Sequence, residues 1–235
     1  GNTFSPHAQY AAEMVRQAIV AEFKDEAYTR GISVTTTLIN AEQEAAYAAL
    51  RRNVMAYDQR HGYRGPEGSL LLPSSSEERS KAIEVKLAQH PASGPLLSAV
   101  VLTITPQSVQ AMLADGTVVH ILPDGWRWAA AALARNAKPA LQLKPGSVIR
   151  VQQGAKGQWS ISQLPNVGAA FVALNHQTGA YRALVGGFDF SASPFNHVTQ
   201  AWRQPGSAMK PFIYSAALEK GFSPTTLVND APLTL

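Results

Sequence analysis

Apolar positions recur at helical spacing near the start of the chain, where Ala11, Val15, Ile19 and Phe23 share one face. Ser5 can cap that helix and Pro6 suits its first position, and the pattern predicts an end before Gly31. A run of β-branched residues over 32–39 predicts a strand. Asn40 then reads as a cap with Gln43 as its reciprocal partner, opening a second helix that runs toward Tyr57. Its stripe of Ala46, Tyr47, Leu50, Val54 and Tyr57 keeps the helical period, which one face packed on a core explains.

The pattern changes at 61–66, and the Pro73-Ser74-Ser75-Ser76 stretch continues a passage rich in glycine, proline and serine, so a domain junction is placed there. A short helix over 77–90 follows. Strand signals come next at 97–105, 108–114 and 117–122, the last two joined by an Asp115-Gly116 turn. A helix over 126–136 precedes two more strands, 147–152 and 158–164, linked through Gly154 and Gly157. Short strands with an interrupting helix are the inventory of a small OB-like β-barrel. From Asn166 onward, 167–175 and 180–186 form a hairpin around His176-Gln177-Thr178-Gly179. The fold class is therefore mixed α and β.

Composition adds limits. With 46% apolar residues over 235 positions, the chain can bury a core, and a formal charge of only +4, scattered along it, is a weak pointer to an anionic partner. An OB fold that binds nucleic acid needs stacking rings and basic grooves, yet 97–122 holds no Lys, Arg, Phe, Tyr or Trp, so a docking or spacer module is expected. Trp126-Arg127-Trp128 is a candidate surface anchor, against the plainer reading that both tryptophans pack on their own barrel. Zero cysteines exclude disulfides and a cysteine nucleophile, and the six histidines never pair at metal-ligand spacing, so neither metal nor cofactor is expected. No apolar run approaches the roughly 20 residues of a membrane span, and the first residues lack the regions of a signal peptide, which places any targeting signal upstream.

The chemistry concentrates in Arg203-Gln204-Pro205-Gly206-Ser207-Ala208-Met209-Lys210-Pro211-Phe212, which holds the only Ser-x-x-Lys. Two common residues at fixed spacing arise by chance about once in a chain of this length, so context decides. Pro205-Gly206 breaks the preceding chain, Pro211 confines the helix start, and a helix beginning at Ser207 is expected to stop at Gly221 and Pro224. Residues three apart on a helix are neighbours, so the Lys210 amine can reach the Ser207 hydroxyl. A serine becomes a nucleophile when a base takes its proton, and a lysine serves when burial or a nearby cation lowers its usual pKa of about 10.4. The apolar helix is expected to supply that burial, and first-turn amides to favour negative charge near Ser207. The plain alternative is a serine capping a core helix with a solvated lysine one turn on.

Residues 168–187, GAAFVALNHQTGAYRALVGG, followed by Phe195-Asn196 and by 199–211, TQAWRQPGSAMKP, closely resemble the opening of the transpeptidase domain of class A penicillin-binding proteins. The resemblance continues through 216–221 and 229–232, and Thr35-Thr36-Thr37-Leu38 and 57–66, YDQRHGYRGP, resemble the bifunctional 1A-type subgroup. It implies residues 1–62 as a linker and N-terminal part of the transpeptidase region, 63–165 as an OB-like domain, and 166–235 as the start of a serine β-lactamase-like α/β transpeptidase domain, cut short. Asn175-His176 stands where the family often has Asp-Pro, His197 where Arg is common, and Met209 at a usually aromatic or variable apolar site.

The resemblance implies that Ser207 is the acylated nucleophile and Lys210 its proton-transfer partner, acting on D-alanyl-D-alanine stem peptides and trapped by β-lactam antibiotics. It implies a parent protein on the periplasmic side of the inner membrane that also polymerises glycan from a lipid-linked precursor, with an outer-membrane lipoprotein activator as a partner for the OB-like domain. No Ser-x-Asn or Lys-Thr-Gly element follows Ser207, so these 235 residues alone are expected to be inactive. The rival readings are a non-enzymatic docking module built on the barrel and a serine β-lactamase or antibiotic sensor.

Overall fold

Helix α1 (Gln9–Phe23) turns inward only through its first turn, where Tyr10 and Ala11 are buried, and a 3-10 turn (Lys24–Tyr28) ends it before Gly31 as expected. The structure is a computed structural model that describes residues 7–229 and 231. The Ser5 and Pro6 cap, and Asp230 and Pro232 of the family resemblance, lie outside the described residues. The described residues fall into two compact units, divided after Gln200.

Residues 32–39 form no strand. The segment lies extended beside strand β8 (Tyr181–Val185) and meets it through Ile39 N–H donating to Arg182 O at 2.9 Å and the Thr37 hydroxyl donating to Tyr181 O at 2.6 Å. Val34 and Ile39 stay exposed, so the β-branched run lacks the buried face that a regular ladder would need. Helix α2 (Asn40–Arg60) follows the predicted stripe: Ala46, Leu50 and Val54 pack on Ala183 and Val185 of β8, with Tyr47 beside them. Tyr57, the last position of that stripe, is exposed. Strand β7 (Phe171–Leu174) pairs antiparallel with β8, as the hairpin pattern predicts.

Gln43 departs from the expected capping box. Its side-chain amide, fully buried, donates to Leu184 O at 2.8 Å and to His7 O at 3.0 Å, while its Oε1 accepts from Leu184 N–H at 2.8 Å. One side chain thus completes the unpaired edge of β8, where a bare backbone group would be costly.

Between α2 and β7 sits a six-stranded antiparallel sheet: β1 (Gly68–Ser69), β2 (Leu97–Ile104), β3 (Val109–Leu113), β4 (Val118–Ile121), β5 (Ser147–Gln153) and β6 (Trp159–Ser162). The order is β1-β5-β2-β3-β4, with β6 also on β5. Five of these strands match the sequence pattern, and β1, two residues long, is too short to leave a periodic signal. The alternation of side chains divides the sheet. Ala99, Val101, Ile149 and Val151 face the main core with Ala129 and Ala132, whereas Val100 and Val148 face Ile83 and Leu87 of α3 (Ser76–Leu87). Both faces are covered, which explains why β2 reads as a near-continuous apolar run.

The predicted helix over 126–136 breaks into α4 (Pro123–Trp126), a 3-10 turn (Arg127–Ala129) and α5 (Ala130–Leu133). Trp126 and Trp128 pack on the sheet core. The Trp128 indole donates to Ile161 O at 2.8 Å and meets Tyr63 edge-on at 5.3 Å. The surface-anchor reading is therefore corrected: the rings belong to the segment's own core. Inside it, Arg150, 3% exposed, holds Glu67 through two bonds of 2.7 and 2.9 Å and also donates to Pro91 O at 2.6 Å.

Two polar residues of α2 meet the chain where it enters and leaves this sheet. Asp58, 2% exposed, accepts from Arg64 at 2.8 and 3.1 Å, from the Gln163 amide at 2.7 Å and from Asn166 N–H at 3.1 Å. Burial pushes its carboxyl up, but the bonds from Arg64, Asn166 and Gln163 outweigh that and hold it below the usual carboxylate range. Arg51, buried, donates to Phe188 O at 2.7 Å and to Ser93 O at 2.8 Å and stacks 3.8 Å above the Phe188 ring.

Candidate active site

Ser207 lies on a 3-10 turn (Gly206–Met209) that leads into α6 (Lys210–Glu219). The α-helix thus opens three residues later than the sequence predicts. Ser207 and Lys210 stand three positions apart across this turn, and Lys210 N–H donates to Ser207 O. Gly206 at φ +50° is the backbone switch that admits the turn, and Pro211 sits in the first turn of α6, where no intrahelical donor is lost.

The far end of α6 is closed as expected at Gly221. Gly221 N–H donates to Leu218 O at 3.0 Å and Phe222 N–H to Ala217 O at 3.0 Å, with Gly221 at φ +86°, a Schellman cap. This fixes α6 as a defined ten-residue rod.

Two expectations about the surroundings of Ser207 are corrected. The apolar helix does not bury Lys210: no residue of α6 is buried, and Phe212, Ile213 and Tyr214 are exposed. The helix surface is apolar, but burial needs a partner element, and beyond the short 3-10 turn its own unit contains no other helix or strand among the described residues. The neighbouring amides are also engaged, since Ala208 N–H donates to Pro205 O at 3.0 Å and Lys210 N–H to Ser207 O.

The family's variable positions find local roles. Asn175, in place of Asp, accepts from Gln177 N–H at 2.9 Å and Thr178 N–H at 3.1 Å, the same turn an aspartate would cap. His197 contacts Gly186 O through Nδ1 at 2.9 Å. The sequence pattern offers Gln43 only as a capping partner and gives Arg51 and Asp58 no role. The signal the three share is a polar residue recurring every seven or eight positions on the apolar face of α2, the spacing of two helical turns.

The order of segments defines a class. A family model described as the penicillin-binding protein OB-like domain matches residues 63–167, and one described as the penicillin binding protein transpeptidase domain matches 169–235. Penicillin-binding protein 1A of Escherichia coli is 42% identical over 97% of this chain and 27% of its own length. The 1A protein of Pseudomonas aeruginosa is 40% identical over 97% of this chain and 28% of its own. The crystal structure of penicillin-binding protein 1A from Haemophilus influenzae superposes with a TM-score of 0.81 at 37% identity, covering 97% of this chain and 33% of that one. The chain belongs to the class A penicillin-binding proteins of the 1A type. It spans under a third of the length of the two relatives. Neither the docking-module nor the β-lactamase reading is favoured.

Proposed function

We propose that the protein to which this chain belongs is a bifunctional peptidoglycan synthase, and that Ser207 is the nucleophile of its transpeptidase. One observation carries the reading: the chain's single Ser-x-x-Lys occupies one helical turn inside the segment that matches the transpeptidase family model. In the reaction Lys210 takes the Ser207 proton, the Ser207 oxygen attacks the carbonyl of the penultimate D-alanine of a stem peptide, and the terminal D-alanine leaves with a proton. An amine of a second stem peptide then displaces the serine, forming the crosslink. A β-lactam follows the first half and stays on the serine.

On this reading the OB-like segment spans 63–165, inserted between α2 and β7, and residues 1–62 join the transpeptidase region because α1 and α2 pack on β8. That packing supports the division. The partners are stem peptides, a lipid-linked glycan precursor for a glycosyltransferase activity carried elsewhere in the protein, β-lactam antibiotics, and a lipoprotein activator meeting the OB-like segment. The location is the periplasmic side of the inner membrane. Among the described residues no helix is long and apolar enough to cross a membrane. Fluorescent penicillin tests the core of this proposal: the longer protein labels stably, while Ser207→Ala loses all labelling and Lys210→Ala at least a hundredfold in acylation rate. Undiminished labelling of Ser207→Ala would overturn it.

A further inference from the structure

The cores of the first unit stop at a seam. Residues of the sheet and α3 make up two apolar clusters, residues of α1, α2, β7 and β8 make up two others, and among the described residues no cluster draws buried residues from both sides. Where α2 faces α4 and β6, a cavity of about 180 Å³ lies between Met55, Asp58 and Gln59 on one side and Trp128, Ile161 and Gln163 on the other. Packing across that seam is therefore incomplete.

What crosses it is polar, and α2 supplies it. Asp58 takes hold of both connecting strands at once, Arg64 on the way into the sheet and Gln163 with Asn166 on the way out. Gln163 adds a bond to Gly62 O at 3.0 Å and Arg64 one to Leu164 O at 2.6 Å, so the two connectors are also tied to each other. One and two helical turns before Asp58, Val54 and Leu50 face β8 instead. Arg51 reaches Ser93 in the turn before β2 and Phe188 beyond β8, one guanidinium touching both sides. The two fasteners lie seven positions apart, on one face of a rigid 21-residue helix.

We propose that Asp58 and Arg51 form a two-point joint that sets the orientation of the OB-like segment on α2, so that breaking it lets the segment turn as a body while both sides stay folded. The inference rests on the insertion reading above. A polar seam with a gap in it is the kind across which bodies move, whereas an apolar seam resists. The joint is a geometric link rather than part of the chemistry, so Asp58 and Arg51 are positioning residues.

The natural absence of cysteine allows clean spin labels. In the full-length protein, with any cysteines outside this segment replaced, Glu22→Cys on α1 and His120→Cys on β4, both exposed, report the distance across the seam. Wild type gives one narrow distance. Asp58→Ala is expected to broaden the distribution at least twofold, and Arg51→Ala with Asp58→Ala to add a second population, while amide exchange protection in β2, β5 and β8 persists. An unchanged narrow distance in the double variant overturns the joint. So does loss of protection in all three strands, which would make Asp58 a folding residue. Where Asp58→Ala does not fold, Asp58→Asn keeps the shape and loses the charge: intermediate broadening supports the joint and wild-type width overturns it. If β2 and β5 lose protection independently of β7 and β8 in wild type, the joint holds; if all four open together, the insertion reading itself fails.

Discussion

At the scale of the residue, stability rests on a few buried polar groups with complete partners. Gln43 pairs both backbone groups of Leu184, so Gln43→Leu leaves a buried donor and acceptor bare and is expected to cost about 2–4 kcal/mol in chemical denaturation, more than a core Ile→Val change. Asp58 carries a pH signature. Its folded carboxyl lies below the unfolded value of about 3.9, so its stabilisation is present above that pH and is lost as pH falls through the folded value. The gap between the urea midpoints of wild type and Asp58→Asn should be largest near neutrality and shrink below about pH 4. A gap constant with pH would contradict the assignment. These residues were poorly legible in the sequence because a polar side chain on an apolar stripe looks the same whether it snorkels to solvent or completes a distant strand edge. Arg64 and Asp58 lie inside the passage that resembles the 1A subgroup, yet pattern alone gives them no partner.

At the scale of the element, periodic patterns carried furthest. The α2 stripe, the β7–β8 hairpin and five strands of the sheet follow from helical spacing and from short apolar or alternating runs bounded by turn residues. Residues 32–39 misled because β-propensity reports fit to a half-buried pleat, and this segment is offered only two hydrogen bonds to β8. Strand β1 depends on a tertiary fit instead. Gly146, at φ +89°, lies so close to Leu70 O that an added Cβ would collide with it, and its carbonyl accepts from Leu70 N–H at 2.8 Å. Gly146→Ala should therefore destabilise by about 2–4 kcal/mol and unpair β1 from β5, read as lost exchange protection at Leu70. Protection at Leu70 equal to wild type would refute this account of the turn. The 3-10 start at Ser207 was illegible for a related reason: α and 3-10 turns share the proline, glycine and apolar signals that mark a helix start.

At the scale of the whole molecule, the chain alternates between two kinds of seam. Within each core, apolar faces interlock, and between the OB-like segment and the α2–β8 layer the contacts are hydrogen bonds radiating from one helix. Family membership was legible because it rests on long contiguous stretches, from 57–66 to 199–211, rather than on a single short motif. The surroundings of the proposed Ser207 and Lys210 pair were not, since an apolar helix surface reads as buried in the sequence while α6 is exposed in its own unit. The most direct measurement is peptide mapping by mass spectrometry of the full-length protein after reaction with benzylpenicillin. The account predicts a single penicilloyl adduct, on the peptide containing Ser207, with fragment ions placing it at that side chain. An adduct confined to any other residue would contradict it.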